Sequence, residues 1–133
     1  MRTLPSIALA TLLALALSCG GGSKDELEFG TGLDSTGMGL AGEGTTFTVG
    51  SGGTTLYFRL ESTADFDGRF VRLYFSSVEY KDFSACAAKN THVCLSGFHV
   101  SNPGTFEVKG YLVKDNLGIG EETLVATKSL TLQ

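Results

Sequence analysis

Two histidines and three cysteines are the residues in this 133-residue sequence best suited to chemistry. His92 and His99 are the candidate bases or metal ligands, but no serine or cysteine stands in a nucleophile context. Neither Gly-x-Ser-x-Gly nor His-Glu-x-x-His occurs. On one regular strand the odd separation of the histidines would place them on opposite faces unless a bulge intervened at Gly97. Cys86 and Cys94 are too far apart for C-x-x-C, and with only His92 nearby a zinc site would lack its four ligands. Asp65-Phe66-Asp67-Gly68 offers alternate carboxylates and a glycine, the start of a calcium loop, but no distal bidentate glutamate follows, so it reads as an acidic turn. The expectation is a protein without catalysis, metal or cofactor.

The N-terminus carries a stronger signal. Arg2 precedes an apolar run from Ile7 to Leu17 that is too short to span a bilayer core of roughly 30 Å, which is the pattern of an export signal. The run ends in Leu15-Ala16-Leu17-Ser18-Cys19-Gly20, which resembles the lipobox of bacterial lipoproteins, departing from it at Ala16, where leucine is usual. The resemblance implies cleavage after Ser18, acyl chains on Cys19 and a membrane as partner, with residues 1–18 as signal peptide. Gly20, rather than aspartate, implies the outer membrane. Small residues at Ala16 and Ser18 also suit an ordinary secretory site, which would leave Cys19 a free thiol.

If Cys19 carries lipid, two cysteines remain, and in an oxidising envelope Cys86 and Cys94 are expected to form a structural disulfide closing a short loop. Residues 19–44 are dense in glycine, with Asp25, Glu26, Glu28 and Asp34 among them, and read as a flexible tether. Phe29, Leu33, Met38 and Leu40 are the apolar exceptions that would allow part of it to pack as an irregular first strand.

Residues 45–133 are patterned as strands. Leu56, Phe58 and Leu60 alternate with Tyr57, Arg59 and Glu61; Val71, Leu73 and Phe75 alternate with Arg72, Tyr74 and Ser76. The period recurs at Phe106, Val108, Gly110 and Leu112 and again at Leu124, Ala126, Leu130 and Leu132. Val93 and Leu95 fall out of phase with Phe98 and Val100, which predicts a bulge or break at Ser96-Gly97. Turns fall at Asp67-Gly68, Pro103-Gly104 and Asn116-Leu117-Gly118. About seven strands in this length predict an all-β fold, a small antiparallel β-sandwich. Asn102-Pro103-Gly104-Thr105-Phe106-Glu107-Val108 resembles the turn and strand of bacterial immunoglobulin-like and PKD-like modules. A lipocalin-like barrel is the alternative.

Tyr57, Tyr74, Tyr80, Phe83 and Tyr111 fall outside the inferred core, and Tyr57, Arg59, Arg72 and Tyr74 would form one mixed interaction patch if their strands were neighbours. Asp and Glu outnumber Lys and Arg by 14 to 10, so nothing favours nucleic acid. The expected role is a membrane-anchored envelope lipoprotein presenting the sandwich for protein interaction or scaffolding. The competing role is a lipid-anchored small-ligand carrier or enzyme inhibitor.

Overall fold

The computed structural model describes residues 24–114 and 120–133. The expected signal peptide, Cys19 and the expected Asn116-Leu117-Gly118 turn lie outside these. The described chain forms β1 (Glu26–Gly30), β2 (Gly32–Leu33), β3 (Leu40–Ala41), β4 (Thr46–Phe47), β5 (Thr54–Glu61), β6 (Phe70–Phe75), β7 (Glu79–Phe83), β8 (Val93–Val100), β9 (Gly104–Val113) and β10 (Glu122–Leu132). A single 3-10 turn, Ser84–Cys86, follows β7.

The alternating strands sort into two facing sheets, β1-β5-β8 and β4-β10-β9-β6-β7, with β2 and β3 as a small separate hairpin. The chain crosses between the sheets from β4 to β5, β5 to β6, β7 to β8 and β8 to β9, whereas β6–β7 and β9–β10 are hairpins within one sheet; β4 adds parallel to β10 while the other pairs are antiparallel. This is a Greek-key β-sandwich. The two sheets keep separate edges, unlike the closed barrel of the alternative reading.

The inward positions are those the period of two selects: Leu56, Phe58 and Leu60 from β5, Val71, Leu73 and Phe75 from β6, and Val108, Leu112, Leu130 and Leu132 from β9 and β10 are all buried. Phe98 sits at the centre of the core. Its ring lies 6.2 Å from Phe29, 6.2 Å from Phe58 and 5.7 Å from Phe75, so it touches β1, β5 and the opposite sheet together.

The domain begins earlier than composition suggests. Residues from Glu26 onward are not a tether: β1 pairs in full with β5, and Leu27 and Phe29 are both 1 % exposed. Alternation of Leu27 and Phe29 with Glu26 and Glu28 outweighs the flanking glycine, because two large apolar side chains gain roughly 1.5–3 kcal/mol each on full burial. Gly30 itself serves close packing, since a Cβ there would stand 2.6 Å from the Ala41 carbonyl oxygen.

The expected break in β8 is also absent. Its register against β5 runs unbroken from Glu61 opposite Val93 to Thr54 opposite Val100. The inward set is Cys94, Ser96, Phe98 and Val100, so the phase slip arose from counting Val93 and Leu95 as core. The register shift lies instead in β10, between Leu124 and Ala126, which leaves Leu124 exposed.

Candidate functional site

The outer face of the five-stranded sheet carries the most organised polar cluster. Register places Arg72 of β6 beside Asp82 of β7 and Tyr111 of β9, and Tyr74 beside Tyr80 and Lys109. Arg72 is only 2 % exposed although it lies on this outer face. Its guanidinium donates from Nε to Asp82 Oδ1 at 2.7 Å, from Nη2 to Asp82 Oδ2 at 3.2 Å and from Nη1 to Glu122 Oε2 at 2.7 Å. The Tyr80 ring lies over the guanidinium carbon with 4.4 Å to its centroid, and Phe70 lies 5.6 Å away. A planar fork bound to carboxylates and stacked on an aromatic ring uses the properties that separate arginine from lysine.

The tyrosines extend this core outward. Tyr74 donates its hydroxyl proton to Glu122 Oε2 at 2.6 Å, and this bond holds the phenol above its ordinary pKa. The Asp82 hydrogen bonds hold the Arg72 guanidinium even more firmly protonated than usual. Tyr74 meets Tyr111 edge-on at 5.2 Å and Tyr80 at 5.7 Å. Tyr74, Ser77, Lys109, Tyr111 and Glu122 line a depression of about 200 Å³. The result is an aromatic surface set on a fixed charge network, with Tyr80 half exposed and the exposed Leu124 paired with Tyr111.

The four residues expected to share one patch are divided between the two sheets. Tyr57 and Arg59 belong to β5, and their outer face points away from that of Arg72 and Tyr74 on β6. Arg59 is engaged by Glu61 at 2.9 Å and Glu28 at 3.6 Å, and the Tyr57 ring covers Gly97, where a Cβ would approach it to 3.0 Å. Phe83 is not a surface aromatic, since it packs on Phe58 with 4.6 Å between ring centroids. Sequence reasoning did not single out Asp82, Glu122 or Lys109. Asp82 was detectable, because a hairpin turning at Ser76-Ser77 sets Tyr80 and Asp82 against Tyr74 and Arg72. Glu122 was not, because its partner is 50 residues away.

No protein-family model matches the chain, and no curated protein or solved structure matches it.

The remaining chemical candidates have structural occupations. Cys86 and Cys94 are joined in a disulfide. The segment they close is bound to the β5–β6 connection, where Ser62 N donates to His92 O, Phe66 N to Thr91 O and Gly68 N to Ala88 O. Asp65 organises both segments, accepting from Asp67 N at 2.6 Å and Asn90 N at 3.0 Å. His92 places Nδ1 3.0 Å from the Ser62 carbonyl, whereas His99 is exposed near the far end of β8, roughly 23 Å away at strand rise. Among the described residues no three His, Cys, Asp or Glu side chains converge as metal ligands.

Proposed function

We propose that this chain is a bacterial envelope lipoprotein whose sandwich serves protein interaction through the Arg72–Tyr74–Tyr80–Tyr111 face. The observation that carries the interaction reading is the Arg72 network. A buried arginine held by two carboxylates fixes three tyrosines in place, and rigid, preorganised aromatics are the side chains that bind partners with least loss of freedom. The carrier reading lacks comparable support. The pocket lined by Phe75, Phe106 and Leu132 is about 220 Å³ and lies at an open edge, below the roughly 300–1,000 Å³ of ordinary small-molecule sites. A protruding inhibitor loop lacks support too, since the Cys86–Cys94 segment is tied to its neighbour.

The anchor rests on the resemblance around Cys19. Acyl chains on that cysteine would hold the protein at the membrane, with the outer membrane as the expected address. Six residues, 20–25, then separate the lipid from β1. The start of β1 lies beside the end of β5, and with acyl chains on Cys19 this end of the sandwich would face the bilayer.

A photo-crosslinking residue at Tyr80 tests the role in a Gram-negative host that assembles the protein in its envelope. The reading predicts a discrete crosslinked partner from position 80 and none from Thr55 on the opposite face. Equal labelling from both positions would contradict it.

A further inference from the structure

The sandwich has four strand edges, and three of them are blunted against further pairing. β4 has only two residues, β1 carries Glu26 and Glu28, and β7 carries Glu79, Lys81 and Asp82. β8 has none of these protections. It runs for eight residues without a charge, a proline or a bulge, and among the described residues no backbone hydrogen bond reaches it from any strand but β5. An unprotected edge of this kind is a template for another strand.

A second observation lies at the Val100 end of the same edge. There a pocket of about 220 Å³ is lined by Phe75, Phe106 and Leu132, with Glu79, Lys81 and His99 also on it. One wall is formed by Val78 and Glu79, which follow the β6–β7 turn in which Ser76 and Ser77 hold left-handed backbones at φ 51° and 64°. β9 holds that turn in place, with Ser76 N donating to Glu107 O and Glu107 N donating to Ser76 Oγ, each at 2.9 Å. The wall is therefore formed in advance of any ligand.

We propose that β8 accepts an extended, uncharged segment of a partner protein as an added strand, with one aromatic side chain of that segment filling the Phe75–Phe106–Leu132 pocket. The pocket is the size of one anchoring side chain rather than of a free ligand. The segment is uncharged because β8 offers no counter-charge, and a charge desolvated against it would have no partner. A second copy of this chain does not fit. The aromatic of its own β8, Phe98, is 5 % exposed and committed to its core. This inference rests on the reading of the domain as an interaction module but uses a different surface from the Arg72 face.

The test selects a phage-displayed library of random linear peptides against the mature chain, then measures binding of the synthesised consensus peptide by fluorescence anisotropy. The expected consensus is an uncharged stretch of alternating residues with one aromatic. N-methylating every second backbone amide of the peptide should weaken binding at least roughly tenfold in one of the two alternating sets, since only one set faces the ladder. L95K and H99E, which place charge along the edge, should weaken it similarly, and Y80A should not. The methylated peptides keep the test valid should either variant fail to fold. Failure to enrich any peptide, or binding that survives both methylation sets, overturns the β8 assignment. Peptides lost with Y80A instead also overturn it, while supporting the Arg72 face.

Discussion

Replacing Arg72 with alanine should be the most damaging change available on the outer face of the sheet. The substitution removes three charge-assisted hydrogen bonds, of 2.7, 3.2 and 2.7 Å, and the stacking on Tyr80. It also leaves Asp82 and Glu122 without their shared cation. Removing one partner of a fully buried pair costs about 3–5 kcal/mol, but the Asp82 and Glu122 side chains are 32 % and 27 % exposed, so water recovers part of that loss. The expected cost is about 3 kcal/mol, a fall of roughly 10–15 °C in Tm for a domain of this size. R72K keeps the charge but loses the fork and the stacking geometry, so it should cost about half as much. Urea unfolding followed by circular dichroism measures both. A loss under about 1 kcal/mol for R72A, or R72K matching the wild type, would refute the assignment of a structural centre to this arginine.

F29A should cost about 3–5 kcal/mol in the same assay, because Phe29 is fully buried against Phe98; a neutral result would return residues before Thr45 to the role of tether. Reduction of Cys86–Cys94, with a sequence separation of 8, should lower stability by about 2.5 kcal/mol and leave the protein folded; an unchanged urea midpoint would show that the bridge constrains nothing. Burial and the neighbouring Glu43 raise the pKa of Glu28. Over the window between its unfolded and folded pKa values the native state holds more protons than the unfolded state, so this group's contribution to stability is present at low pH and lost as pH rises through the folded value. E28Q should therefore flatten that fall above about pH 4 relative to wild type, and parallel pH profiles of the urea midpoint would contradict the shift.

Much of the fold was legible because a two-sided sheet writes its faces into every second residue. β5, β6 and β9 carry that period, and the residues it selects are buried apart from the half-buried Phe106, while Glu61, Phe70, Arg72 and Val113 are buried out of phase. β1 was obscured because its five residues lie in glycine-rich sequence, where composition averages out two buried side chains. β8 was misphased because its inward set includes Cys94 and Ser96, one bonded to sulfur and one polar, while Val93 and Leu95 point outward. The candidate site was legible only in part. Arg72 and Tyr74 stood out as residues, but pairing them with Tyr57 and Arg59 assumed that β5 and β6, adjacent in the chain, lie in one sheet. The Greek-key crossing puts them in different ones.

Intact mass spectrometry of the mature protein, isolated from membranes of a Gram-negative host, is the most direct test of the central claim that a lipid-anchored, disulfide-stapled sandwich is presented in the envelope. The account predicts a chain that starts at Cys19, carries the mass of three acyl chains with a glyceryl group and gains two hydrogens on reduction. An unacylated chain in the soluble fraction would contradict it.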